Sequence, residues 1–493
     1  MIRLASPQRP LFVHPERVLA GGVVLLAGLL VIANVIGMAF GLAALVGLGV
    51  IVVVAWRWPA ATAVFFVLFT PVNRFAIAGL FLAFHSPQLD KFALLWKDAL
   101  IGILVARVLY DALFSRRAIT LRYLDFLVFA FIALSTVYVF YPGSLDTDLF
   151  TRLQGFRSDA SFLFAYFIGR ALVFERRHIR WMVLGLTPGS ILIFGVAMFE
   201  FFAPALAAHY VDALGITDFE TVRNRSISGV ELHRASALVG DLALSFYQMV
   251  LVALASALYV ESSGRRRLWS GLFLGTMVAA LVATLTRSAI LTGIAVILIT
   301  AVLARRPIRV AVLGGVAAIA GIAGIVLSGI RLETVQRLFS LQDASTQGHL
   351  HALQRSLAQI QHEPLGRGLG TAGTIGQRFV GDRAITNENW YLQLGTEMGI
   401  LAAVLYLAIV AIVAVACFHT YFGVRDTWLR TLALGIGAAA VGFLILGNLL
   451  HAWENTILSM AFWLMAGIVV RARDLDVSPS FAAKRIPARE QQA

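Results

Sequence analysis

Apolar stretches of about 17 to 25 residues, separated by short polar segments, recur along nearly the whole chain, and each is long enough to cross a hydrocarbon core of roughly 30 Å as a helix. The pattern predicts fourteen spans at about 18–38, 40–56, 59–79, 96–114, 122–141, 158–175, 181–203, 238–260, 268–286, 288–304, 308–329, 391–418, 429–449 and 452–470. The fold class expected is therefore all-α: a polytopic integral membrane protein of about fourteen transmembrane helices, within a range of twelve to fourteen. Residues 1–473 read as a single membrane domain that includes two long loops, at 204–237 and 330–390, and residues 474–493 read as a polar, disordered tail.

Composition agrees. With 59% apolar residues, 14% charged residues and a mean hydropathy of +0.83, the 493-residue chain is excluded from soluble enzymes, disordered scaffolds and disulfide frameworks. Cys417 lies in an apolar run without a partner cysteine and reads as a small core residue. The first span follows seventeen residues, and another apolar run begins at once after it, so it is expected to be a retained anchor rather than a signal peptide.

The positive balance comes from 37 arginines and 3 lysines. With the N-terminus inside, 23 of the 40 cations fall in cytoplasmic loops and tails, among them Arg116, Arg117, Arg122, Arg176, Arg177, Arg180 and Arg265–Arg267. Positive charge in short loops decides orientation, so both termini are expected in the cytoplasm. Lys97, Arg107 and Arg170 fall near span ends, where long side chains snorkel. The other fourteen cations, thirteen of them arginine, face the opposite side, which charge rules deplete. Both long loops lie on that outer side, so any chemistry belongs there.

Four outer features carry candidate chemistry. Thr284-Leu285-Thr286-Arg287-Ser288 interrupts two apolar runs so briefly that Arg287 must sit in a tight turn at headgroup level, where it reads either as a snorkelling anchor or, beside hydroxyls able to share a phosphate, as a phosphate ligand. Between 346 and 361, Leu350, Leu353, Leu357 and Ile360 form one stripe of an amphipathic helix lying on the membrane or on the bundle, with His351, Arg355 and His362 on another face. His349 and His351 diverge on that helix and no Cys/Asp cluster joins them, so no metal is expected. In Pro364-Leu365-Gly366-Arg367-Gly368-Leu369-Gly370 the glycines let backbone N–H groups approach an anion or sugar, although a plain loop turn explains them equally. Finally, Glu388 and Asn389 stand at the outer N-terminal turn of a span. Glu388 reads either as an acidic helix cap or as a base for a sugar hydroxyl, and Trp390 and Tyr391 read as interface aromatics or sugar platforms. Lys97 and Asp98 read as a paired gate or a local ion pair, the ion pair favoured.

Thr286-Arg287-Ser288, Pro364-Leu365-Gly366-x-Gly-x-Gly370, Glu388-Asn389-Trp390-Tyr391-Leu392-Gln393 followed by Glu397-Met398-Gly399, and Gly155-Phe156-Arg157 together resemble the O-antigen ligase and polymerase superfamily of bacterial envelope-glycan enzymes over roughly residues 90 to 470. The resemblance implies a GT-C-type membrane glycosyltransferase. It would take a glycan on undecaprenyl pyrophosphate as donor and a glycan acceptor, at the periplasmic face of the bacterial inner membrane. Neither cofactor nor metal is implied. Expected partners are membrane lipids, a flippase and a chain-length regulator; nucleic acid is not one. Ligases of the family place histidine where Glu388 stands and arginine where His349 stands, so the resemblance favours a repeat-unit polymerase of O-antigen or exopolysaccharide over a ligase acting on lipid A-core. Arg287 and Glu388 are the expected catalytic residues. Arg157, Arg234, Arg355, His349, Asn389, Gly368 and Trp390 are expected to bind substrate.

A lipid or solute transporter has as many spans, but it needs ionisable residues at the bilayer midplane, where these spans have almost none.

Overall fold

The computed structural model describes residues 38–84, 87–114, 121–141, 143–213, 224–227, 230–233, 235–237, 241–305, 314–315, 344–385 and 388–476. The expected spans at 308–329, but for 314–315, and at 18–38, but for its last residue, lie outside them, as do Arg234, the cations Arg331 and Arg337, and the tail from 477.

The helices are α1 (Met38–Arg57), α2 (Pro59–Phe69), α3 (Asn73–Phe84), α4 (Pro87–Phe114), α5 (Tyr123–Phe140), α6 (Leu149–Asp159), α7 (Phe164–Ala171), α8 (Arg176–Leu184), α9 (Leu186–Phe202), α10 (Pro204–Ala213), α11 (Asp241–Glu261), α12 (Gly264–Ala283), α13 (Arg287–Leu303), α14 (Ala344–His362), α15 (Gly373–Phe379), α16 (Trp390–Gly423), α17 (Thr427–Leu446) and α18 (Thr456–Asp476). One antiparallel ribbon, β1 (Asn224–Ile227) with β2 (Val230–His233), pairs Asn224 with His233 within the 204–237 loop. The chain is thus a helical membrane protein with a small β addition.

Among the described residues seven segments are long and apolar enough to span: Pro59–Gly79, α5, α8 with α9, Leu242–Glu261, α16, α17 and α18. Shorter apolar helices are Gly47–Arg57, Ser161–Ala171 and α13. The expected span at 158–175 is therefore cut short: α6 ends at Asp159, and the apolar helix runs only to Ala171. Likewise the last span does not begin at 452. Residues 447–455 form a polar turn and α18 starts at Thr456.

Helices α16, α17, α18, α11 and α7 form the centre of the bundle. Phe443 stacks on Trp453 with ring centroids 4.0 Å apart, and Phe162, Trp390, Tyr406 and Trp463 close around them. Helices α7 and α18 approach through Gly169 and Gly467; a Cβ on either would lie 2.1 Å from a carbonyl oxygen of the other helix. Small residues permit this contact in a membrane, where no hydrophobic force drives helices together.

Arg170 does not snorkel as expected. It is buried, with Nε and Nη2 each donating at 2.9 Å to the carboxylate of Asp125, which also accepts from Tyr166 Oη and from the amide of Arg122. A guanidinium that finds a bidentate carboxylate inside the bundle need not reach for water. Asp125→Ala is expected to cost about 3–5 kcal/mol by removing the bidentate carboxylate that holds the buried Arg170, and a thermal unfolding scan of the purified protein would show it as a clear fall in Tm.

The loops predicted to be cytoplasmic do gather at one end. Arg122 reaches Val470 O and Asp474, Arg176 pairs with Asp426 at 2.5 Å, Arg430 pairs with Glu261, and Arg471 donates to the carbonyls that end α7. The opposite end holds the Arg287 turn, the turn 447–455 and the start of α16.

Candidate active site

The site is organised by a break in α16. Gly399 has φ +82° and ψ 171°, a backbone region open essentially to glycine alone, so the helix stops after Met398 and restarts at Ile400. The interruption strands carbonyls that would otherwise accept helical bonds. The glycine loop supplies the missing donors: Arg367 N donates to Thr396 O at 2.8 Å and Gly368 N to Glu397 O at 2.9 Å, while Ile400 N donates to Pro364 O at 3.3 Å. The fit leaves no room for side chains. A Cβ on Gly366 would lie 2.5 Å from Glu397 O, and one on Gly155 of α6 would lie 2.4 Å from Gly370 N.

This overturns the reading of the loop as an amide cradle for substrate. The Gly368 N–H is bound to the protein's own backbone, and the glycines serve close packing between α6 and the break in α16.

Behind the loop lies an acidic group of which the sequence motifs named only Glu397. Glu397, buried, accepts from Ala372 N at 2.8 Å through Oε1, and the carboxyl of buried Asp159 faces it. Toward the surface, Glu454 accepts from Thr374 Oγ1 at 2.8 Å and from Gln393 Nε2 at 3.0 Å, and Gln393 Oε1 meets His451 Nδ1 at 3.0 Å. The available signal was His451-Ala-Trp-Glu454-Asn455, a polar pentapeptide set between two apolar runs.

At the start of α16 the two readings of Glu388 separate. The N-cap is Asn389, whose side chain accepts from Leu392 N at 3.0 Å while its Nδ2 donates to Asn448 O at 3.0 Å. Glu388 precedes the helix, half exposed, with Oε2 2.9 Å from Nδ1 of His349 on α14. The N-cap is thus Asn389 and not Glu388, whose carboxylate is held by an imidazole. The structure brings these two expected residues together across the outer loop.

The apolar stripe of α14 is rotated from its expected role. The helix docks through Ala352, Ser356 and Ile360, with Ile360 against Gly395 of α16, whereas Leu350 and Leu357 stay exposed. Arg355, His351 and His362 are exposed along another face.

The tight turn before α13 is as expected, with Leu285 at φ +50°. The hydroxyls of Thr284 and Thr286 are engaged within the protein. Thr284 Oγ1 donates to Leu281 O at 2.7 Å, and buried Thr286 accepts from Ser245 Oγ at 2.8 Å. Arg287, half-buried, is the first residue of α13, whose N-cap gives no side-chain bond to the first-turn amides. A cation at a helix N-terminus opposes the macrodipole, so guanidinium and dipole together favour an anion there.

Arg157 donates from Nη2 to Asp98 Oδ2 at 2.6 Å. The ion pair expected between Lys97 and Asp98 is replaced by this longer-range one. Although Arg234 itself is not described, the chain next to it is docked: Ala235 N donates to Ala283 O at 3.1 Å, and Glu200 accepts from the amides of Ser236 and Ala237. Trp390 is fully buried against Phe162 and Tyr406, so its indole belongs to the aromatic core and not to a sugar-facing surface.

Among the described residues, no group of His, Cys, Asp and Glu side chains is arranged to hold a metal ion. Residues 272–407, from α12 into α16, match the family model of the O-antigen ligases. The match supports the O-antigen ligase/polymerase superfamily and does not distinguish its polymerases from its ligases. The chain has no match among curated proteins.

Proposed function

We propose that this membrane protein of the O-antigen ligase/polymerase type is a repeat-unit polymerase, transferring glycan from undecaprenyl pyrophosphate to an acceptor sugar hydroxyl at the periplasmic face. The observation that carries the reading is that the matched segment, 272–407, contains both the Arg287 turn and the Glu388–His349 pair. Arg287 and the N-terminus of α13 hold the donor pyrophosphate, with Arg157 as a further cation at the same end of the bundle. As the bond from C1 to the phosphate oxygen breaks, charge grows on the leaving pyrophosphate, and fixed positive groups stabilise it more than they do the ground state. The acceptor oxygen forms the new bond to C1 from the opposite face, inverting the anomeric centre, and its proton passes to Glu388, oriented by His349. The carboxylate at 388, where ligases of the family carry histidine, supports the polymerase reading.

Glu388→Gln is expected to lower turnover by about 10²–10⁴-fold, the usual worth of a general base, without changing the amount of protein in the membrane. Unchanged turnover would reduce Glu388 to a surface ion pair. The name of the matched family favours a second reading, transfer of finished glycan to lipid A-core. Proteoliposomes given labelled lipid-linked repeat units separate the readings. Polymerase yields a ladder on the lipid carrier, ligase yields product only when lipid A-core is added, and uptake of label without product would indicate transport.

A further inference from the structure

A cavity of about 280 Å³ lies at the other end of the bundle, among the arginine-rich loops, where the proposed reaction makes no use of it. Helices α2 and α4 and the turn between α7 and α8 line it. Two ion pairs face it. Arg107 holds Asp111 from Nη2 at 3.0 Å and from Nε at 3.2 Å, and Arg177 holds Glu175 from Nε at 2.8 Å. All four side chains keep part of their surface open, from 21% for Asp111 to 69% for Arg177. Ala60 and Ala61, in the first turn of α2, complete the same wall.

The cavity stands at a membrane interface. The Arg107 guanidinium lies over Trp56 and Tyr110, at 5.3 and 5.9 Å from their ring centroids. Trp58 at its rim is 57% exposed, and beyond α4's end of the cavity Leu113 and Phe114 are 74% and 69% exposed. Aromatic rings with arginine mark headgroup level, and exposed apolar residues beyond them offer a surface for acyl chains. At just under the roughly 300 Å³ of small ligand pockets, the volume suits a headgroup and not a whole lipid.

We infer that this cavity binds the headgroup of a zwitterionic glycerophospholipid carrying a primary ammonium group. Its wall carries two guanidiniums and two carboxylates in balance, beside His178, whose Nδ1 accepts from the amide of Glu175. A phosphate without a cation would meet Asp111 and Glu175 as well as the arginines, whereas a phosphate joined to an ammonium satisfies both signs at once. A primary ammonium also donates three hydrogen bonds to the carboxylates, which a quaternary one cannot.

The test uses the full-length protein in nanodiscs holding phosphatidylethanolamine, phosphatidylglycerol and phosphatidylcholine in equal amounts, with retained lipid read by native mass spectrometry. One phosphatidylethanolamine per chain is expected, favoured about tenfold over either competitor, a difference of about 1.4 kcal/mol. The double variant Asp111→Asn, Glu175→Gln is expected to lose that preference. Equal retention of the three lipids by the unaltered protein would overturn the assignment, whether or not the variant folds. So would a preference that the double variant keeps.

Discussion

Replacing Arg287 by alanine is expected to lower glycan transfer by about 10²–10³-fold, the usual effect of removing one preorganised group that stabilises developing charge. The side chain is half-buried at the first position of α13, while the Thr284 hydroxyl is bonded to Leu281 O and the Thr286 hydroxyl to Ser245 of α11. Neither of those bonds uses the Arg287 side chain, so both survive its loss. Tm and membrane content should stay near those of the unaltered protein. Arg287→Lys should recover only part of the rate, because an ammonium keeps the charge but not the bidentate fit to phosphate oxygens. The readout is ladder formation from lipid-linked repeat units in proteoliposomes. Polymer of normal length and yield from Arg287→Ala would end the proposal that this residue grips the donor.

A comparably large effect is expected from Gly399→Val, by a different route. The residue adopts φ +82° and ψ 171°, and a Cβ there would lie 2.4 Å from Pro364 O and 3.0 Å from the carbonyl carbon of Leu365. Backbone strain alone costs about 1–3 kcal/mol for a non-glycine residue in such a region. The contacts are to backbone, so they cannot be relieved by rotating a side chain. Valine should undo the docking of the glycine loop on the break in α16, and with it the bonds from Arg367 N and Gly368 N. The expected outcome is loss of transfer together with new tryptic cleavage at Arg367, Arg378 and Arg383. Full activity with an uncleaved loop would show that the break is not what holds the loop.

Both variants touch motifs visible in the sequence, but their physical roles were legible to different degrees. The Arg287 turn could be read because two apolar runs leave only a few residues between them, which forces a tight reversal whatever the surroundings. The glycines of 364–370 were visible too, yet whether their amides met a ligand or the protein depended on what lay opposite. What lies opposite is the open end of a helix more than 25 residues later, created by Gly399. Glu388 was ambiguous for a similar reason. Either it or Asn389 was able to cap α16, and the choice was made by Asn448 drawing Asn389 inward and His349 drawing Glu388 outward. Arg170 shows the same limit at the other end: its place near a span boundary suggested snorkelling, and Asp125, 45 residues earlier, keeps it inside.

By itself the sequence determined that the chain lives in a membrane, where most of its helices run, which loops share an end and which loop residues carry charge. Hydropathy and charge act residue by residue along the chain, so a linear reading captures them. Only the tertiary structure decided the partners: Glu388 with His349, Arg157 with Asp98, the glycine loop with the broken helix, and Asp159 with Glu397. Those contacts join segments that are distant in sequence, and the desolvation and close packing that select among possible partners exist only once the helices have met.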